Sequence, residues 1–254
     1  MLQAVINGLA EGSIYAVLAV GMVFIFKITE VANFAQGEMA MVATFVGFSV
    51  LTGLGWPLAV AAMISVAFAA AAGLIVEFAV IRRVLHGGAF TTTIVTLGLY
   101  FVLHGAATLV WGPDVYPFPS FFDARPLALG TAVISKQHIS IMGVSLATAA
   151  ALAGFLKFTP LGLAMRAVPQ NRFAARLIGL DLRRIYGLTW LIGSAVSAVA
   201  GILMAPIFFL NTNMMSDAVV TAFAVAVLGG LDSLLGAFIG GLVLGVVQNL
   251  LVLY

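Results

Sequence analysis

Apolar runs of around 20 residues recur along this chain, and they decide its fold class. A helix of about that length spans the hydrocarbon core of a bilayer. Hydrophobic residues make up 63% of the 254 residues and charged residues only 8%. A water-soluble fold of this size has no use for that much apolar surface. The runs also lack the two-residue alternation of membrane barrel strands. The expected fold is therefore all-α: a polytopic transmembrane helical bundle of about eight membrane segments, some broken or re-entrant, forming one domain over residues 1–254.

The first helix is expected from Gln3 to Phe26. The start, MLQAVINGLAEG, lacks a basic leader region and carries Glu11, so this helix is expected to be retained rather than cleaved. Asn7, Glu11 and Tyr15 recur at four-residue spacing and share one helix face. Gly8 and Gly12 form a small-xxx-small pair that lets another helix approach closely. A carboxylate within a membrane helix is expensive, which makes Glu11 either a functional group or an interface residue bonded to a neighbouring helix.

Asn33, Gln36 and Glu38 then appear at the head of the next apolar run, in NFAQGEMAM. Polar side chains and a glycine there suggest an interrupted or re-entrant helix, which is tolerated only inside protein or beside a cavity. A polar cap at the interface explains the same residues. Further helices are expected at Pro57–Ile81, Thr91–Trp111, His138–Phe158 and Tyr186–Leu210. Glu77 is placed to pair with Arg82 and Arg83. His104 falls mid-span, where a hydrogen-bonded packing role is more common than proton carriage. Ala218–Leu228 is too short to span and ends in Gly-Gly-Leu-Asp, a second candidate break. The last run is Ser233–Tyr254, with Gly236, Gly240, Gly241 and Gly245 at helix-packing spacing.

Thr159–Arg184 stands apart from all of these. It holds Arg166, Arg172, Arg176, Arg183 and Arg184, five of the eight arginines. At about 2.5–3.5 kcal/mol for each charge at a bilayer centre, five would cost roughly 12–18 kcal/mol, so the segment does not cross. Pro160 suits a first helical turn. Pro169 is expected to end that short helix. Asn171 is placed to cap a second helix over Arg172–Leu180. Phe173, Leu177 and Leu180 fall on one face and Arg172 and Arg176 on the other. Such an element suits either docking a protein at the membrane surface or resting on lipid headgroups. The positive-inside rule puts it in the cytoplasm. Counting spans outward puts Lys27, Arg82 and Arg83 on the same side, with the 112–137 connection and the N-terminus outside.

Several chemistries are excluded. None of the three lysines lies in a G-x-x-x-x-G-K-[ST] loop, so the chain holds no ATP site of that kind. His86, His104 and His138 are scattered and there is no cysteine, which gives no expectation of a metal site. No catalytic set is evident. A net charge of +2 is too small to suggest nucleic acid.

Three stretches carry a resemblance. NGLAEGSIYAVLAVGMVFIFKITEVANFAQGEMAM (residues 7–41) resembles the opening of LivH-type permeases of branched-chain amino acid ABC transporters. GLAMRAVPQNRFAARLIGLD (residues 162–181) is similar to that family's coupling loop, whose consensus is Glu-Ala-Ala, three residues, then Gly. Ala174, Ala175 and Gly179 match it. Phe173 stands in place of the Glu, so the packing surface is retained without the carboxylate. VLGGLDSLLGAFIGGLVLG (residues 227–245) resembles the family's late glycine-rich segment. The family usually carries one further helix and a short cytoplasmic tail beyond the part matching 233–254.

The resemblance implies an importer subunit that binds no cofactor itself. Its partners would be a second, LivM-like permease, two ATPase subunits that hold the ATP, and a periplasmic substrate-binding protein, in the bacterial inner membrane and in contact with its lipid. It implies ATPase contacts at Arg172, Phe173, Ala174, Ala175, Leu177 and Gly179. Asn7, Glu11, Tyr15, Asn33, Gln36 and Glu38 are the candidates for lining the translocation pathway. Branched-chain amino acids are the family's usual solutes, and amides, urea and aromatic acids occur among relatives of this architecture. Two other classes fit the residues alone: a secondary transporter coupled through Glu11, Glu38 or His104, and a non-transporting assembly subunit.

Overall fold

The computed structural model describes residues 1–121, 126–129 and 132–252. Its helices are α1 (Leu2–Thr29), α2 (Gln36–Gly53), α3 (Leu58–Val84, passing through a π-helical turn at Glu77–Ile81) and α4 (Gly88–Trp111). They continue as α5 (Lys136–Phe158), α6 (Pro160–Gln170), α7 (Arg172–Leu177), α8 (Leu182–Phe208), α9 (Ser216–Gly229) and α10 (Leu234–Leu251). Six of them, α1, α3, α4, α5, α8 and α10, are long and apolar enough to cross a membrane. The protein is an all-α polytopic bundle. The expected end of the last helix at Tyr254 and Arg125 of the long connection lie outside the described residues.

One element was not anticipated. The long connection carries a small antiparallel hairpin, β1 (Pro126–Leu129) with β2 (Ala132–Ser135), Leu127 facing Ile134 in register. Four-residue strands are too short for their alternation to be read from sequence.

α1 is the hub. From Ala16 to Ile25 it is apolar on every side and buried, as an internal helix should be. Its largest contact is with α10, and close backbone approach makes that contact possible. A Cβ on Gly12 would lie 2.6 Å from the Gly241 carbonyl oxygen, and one on Gly8 2.6 Å from the Val246 Cα. Without a hydrophobic driving force inside lipid, such dispersion contact is what holds helices together.

The chain repeats itself in this packing. In α1–α2–α3 (28, 18 and 27 residues) and in α8–α9–α10 (27, 14 and 18 residues) the middle helix is the shortest. The long first helix of each packs on the last helix of the other: α1 on α10, and α8 on α3. α1 and α8 also pack against each other, as do α2 and α9. The punctuation matches as well. α1 ends on Glu30 and α8 on Phe209, each with φ 59°, and these are the non-glycine residues of positive φ among those described. The turn after α2 holds Gly55 at φ 64°, and α9 ends at Gly230, φ 91°. The C-terminus of α1 and the N-terminus of α8 lie at the same end of the bundle, because Arg172 reaches Glu30 on one and lies over the Tyr186 ring on the other. The two units therefore run in opposite directions, an inverted repeat.

Candidate functional site

The repeat puts its broken helices at the centre. After Thr29 the chain turns through Glu30 and re-enters the bundle without helical structure before α2 starts at Gln36. The Gln36 amide reaches the level of Gly21, whose added Cβ would lie 2.8 Å from Gln36 Nε2. Gly21 lies eight residues above the end of α1, about 12 Å at 1.5 Å per residue. The expected interruption is thus a segment folded back into the membrane domain. Asn33 ties it together: its Oδ1 accepts from Ala35 N at 3.1 Å.

Gln36 is fully buried where α1 and α8 cross, and its Nε2 donates to Ser197 Oγ. Ser197 in turn donates to the Gly193 carbonyl oxygen at 3.0 Å. Gln36 Oε1, Ser194 Oγ and Trp190 Nε1 are buried beside this crossing or along α8 and have no hydrogen-bond partner among the described residues. An amide half-satisfied by protein groups in an apolar interior is unusual.

Glu38, 1% exposed, lies two residues on and faces α4, where His104 Nδ1 is 3.3 Å from its Oε2. The His104 ring stacks on Tyr100 at 5.9 Å between centroids. Thr96 on the same helix donates to the Ala32 carbonyl oxygen at 3.0 Å, so α4 grips the re-entrant segment at two levels. The expectation of a bonded His104 holds, and its partner is the carboxylate that sequence had assigned to the pathway.

The stripe on α1 is placed differently. Glu11 Oε2 accepts from Asn249 Nδ2 of α10 at 2.7 Å, and Asn7 Oδ1 accepts from Gln3 at 2.9 Å. Tyr15 lies one turn further along α1, the helix that also packs against α9 beside the second break. Asn33, Gln36 and Glu38 form one buried group and Asn7, Glu11 and Tyr15 a second, half-buried one. Ser197, His104 and Asn249 were not assigned to either group from sequence. Ser197 is a small residue on an apolar helix, and nothing local marks it as the partner of a residue 161 positions away.

The arginine-rich element forms a helix pair at the end of the bundle where α1 finishes. Thr159 caps α6, accepting from Gly162 N at 3.0 Å, and Asn171 caps α7, accepting from Ala174 N at 2.9 Å. Two details correct the sequence reading. Pro169 lies inside α6, which runs on to Gln170; burial of Met165 and Val168 holds the turn that proline disfavours. α7 stops at Leu177, not Leu180. There Leu180 N donates to the Ala175 carbonyl and Gly179 N to the Arg176 carbonyl, both at 3.0 Å, with Gly179 at φ 83°. That is a Schellman cap, which needs a left-handed residue.

α7 presents Phe173, Leu177 and Ile178 outward, each more than 70% exposed, while Ala175 packs inward. Ala174 is exposed and nothing lies within 4 Å of the place where a Gly179 Cβ would stand. Arg172 points back to the bundle. Glu77 pairs with Arg82 as expected, through contacts of 3.1 and 2.6 Å.

Two opposed units with half-satisfied polar groups at their crossing, and an apolar knob held out at one end, make up a multi-pass membrane domain. The chain belongs to the family of permease components of branched-chain amino acid transport systems, whose model matches residues 4–254. It is 32% identical to the high-affinity branched-chain amino acid transport system permease protein LivH of Escherichia coli K12, over 98% of this chain and 85% of that one. It is 31% identical to the permease protein BraD of Pseudomonas aeruginosa, over 97% and 85%. The autoinducer 2 import system permease protein LsrC of Enterobacter sp. 638 is 28% identical, over 96% of this chain and 70% of that one. The protein is thus a multi-pass inner-membrane permease of the ABC-importer type, a channel subunit rather than a catalyst, and such a permease works with ATPase and solute-binding partners.

Proposed function

We propose that this chain passes branched-chain amino acids, or related small polar solutes, from a periplasmic binding protein to the cytoplasm. A second, LivM-like permease completes the membrane domain, and two ATPase subunits hydrolyse ATP. The chain itself binds no cofactor. The N-terminus lies outside and α6–α7 in the cytoplasm. The observation that carries this reading is the outward face of α7. Three large apolar side chains held in the open beside five arginines suit a protein partner at the membrane surface. Arg172, Phe173, Ala174, Leu177 and Gly179 border that contact, and Ala175 sets the helix against the bundle.

The pathway runs past the two breaks. Gln36, Asn33 and Glu38 serve the inner one, and Asn7, Glu11 and Tyr15 the outer one. Because Gln36 is buried at the α1–α8 crossing, it meets solute only when those two helices part.

The Glu38–His104 pair favours one competing reading, a proton-coupled carrier. Reconstitution with the ATPases and binding protein decides between them. Leucine uptake should need ATP and the binding protein, and should survive collapse of the proton gradient. Uptake driven by a proton gradient without ATPases would overturn the importer reading.

A further inference from the structure

A groove of about 440 Å³ opens between the ends of α3 and α8, at the level where both helices leave the membrane domain. Leu74 of α3 and Leu188 of α8 line its apolar side, and Arg82, Asp181, Arg183 and Arg184 its polar side. We propose that it binds one anionic phospholipid, with the phosphodiester held by Arg183 and Arg184 and the acyl chains laid along Leu74 and Leu188.

Charge supports this occupant. Arg82, Arg183 and Arg184 face two carboxylates, Glu77 and Asp181, so three positive charges less two negative leave one positive. A phosphodiester carries one negative charge. The carboxylates are also unevenly used. Arg82 is locked by Glu77 and donates to the Arg183 carbonyl oxygen at 3.4 Å. Arg184 meets Asp181 at 3.1 Å, but both are half-exposed or more, so the pair exchanges readily. The Arg183 guanidinium has no ion-pair partner among the described residues. Arginine forks match phosphate oxygens two at a time.

Shape makes the occupant a lipid. Gly187 lets the two walls of the groove approach closely: a Cβ there would come within 3.0 Å of Leu74, 3.5 Å of Glu77 and 3.9 Å of Arg82. The apolar wall continues along α3 into Ile75 and Phe78, each 62% exposed on the span. A headgroup site over an apolar helix face, at the basic end of a membrane domain, has the composition of a lipid pocket. The leaflet is the cytoplasmic one if the orientation given above is right; the binding does not depend on transport.

The test is titration of the detergent-purified full chain with phosphatidylglycerol, phosphatidylcholine or inorganic phosphate, read by native mass spectrometry. One phosphatidylglycerol should bind in preference to phosphatidylcholine, and excess phosphate should not displace it. Arg183→Gln with Arg184→Gln should weaken it about thirtyfold, taking each arginine near a charged surface at its usual worth. Arg183→Lys with Arg184→Lys should retain most of the binding, and Arg166→Gln, exposed elsewhere, all of it. Equal binding of the two lipids, displacement by phosphate, or unchanged binding in the double glutamine variant would overturn the proposal. So would loss of ATPase subunits from that variant with lipid binding intact, which would give the groove to the protein partner.

Discussion

Arg172 of α7 lies 2.8 Å from Glu30, the left-handed residue that ends α1, and its Nη2 also donates to the Thr29 carbonyl oxygen at 3.5 Å. The helix pair at the membrane surface is therefore fastened to the point from which the chain turns back towards Asn33 and Gln36. Any displacement of α7 acts first on that turn. The pair is 41% and 62% exposed, and an exposed ion pair contributes about 0.2–1 kcal/mol. Arg172→Ala should therefore leave folding and ATPase retention intact. What it should change is the link: ATP consumed per solute imported should rise several-fold. An unchanged ratio in reconstituted vesicles would sink this role.

Gln36→Leu should leave the bundle folded while import falls at least tenfold. Ser197 keeps its bond to the Gly193 carbonyl when the amide is gone, so no second buried group is orphaned. Removing an amide whose oxygen already lacks a partner changes stability by no more than about 1–2 kcal/mol. Uptake measured beside thermal melting separates the two effects. Normal uptake would make Gln36 a packing residue.

The α1–α10 seam gives a contrast within one residue type. A Cβ on Gly241 would stand 2.5 Å from the Ala16 Cα, with backbone rather than a flexible side chain in the way. Gly241→Val should cost at least the about 1–3 kcal/mol of ordinary overpacking and lower the melting temperature. Gly98 and Gly105 on α4 have nothing within 4 Å of an added Cβ. Alanine there should be neutral or stabilising by up to about 1 kcal/mol. Equal melting temperatures for Gly241→Val and Gly105→Ala would contradict the packing described.

Those glycines also show what a sequence can and cannot disclose. Gly8 and Gly12 on one helix and Gly241 and Gly245 on another declare that close packing occurs, because four-residue spacing puts each pair on one face. They do not say which helix meets which. Asn171 was legible as a cap because a cap is local, bonding within three residues. Gln36 with Ser197, Glu38 with His104 and Glu11 with Asn249 were not, since only the folded bundle brings those residues together. Pro169 failed in the other direction. Its local preference is real, but burial of its neighbours outweighs it. The inverted repeat was hidden for a further reason: its two units share their turns and packing, with no sequence period to reveal it.

The outward face of α7 supports the sharpest prediction. Phe173 and Leu177 are 72% and 73% exposed, and aromatic anchors of this kind dominate protein interfaces. Phe173→Ala removes little internal packing, so the chain should fold and keep the second permease. A hot-spot loss of about 2 kcal/mol lowers affinity for the ATPases roughly thirtyfold. Gly179 adds a separate handle. Any side chain at φ 83° strains the Schellman cap, by about 1–2 kcal/mol. Gly179→Ala carries that strain without bulk, and Gly179→Trp carries both, in a place where nothing of this chain obstructs the ring. ATPase co-purification should therefore be nearly normal for Gly179→Ala and lost for Gly179→Trp, with uptake following in parallel. If both variants lose the ATPases equally, the cap and not the surface is what the partner needs. If Gly179→Trp and Phe173→Ala both retain them, α7 faces lipid and the docking assignment is wrong.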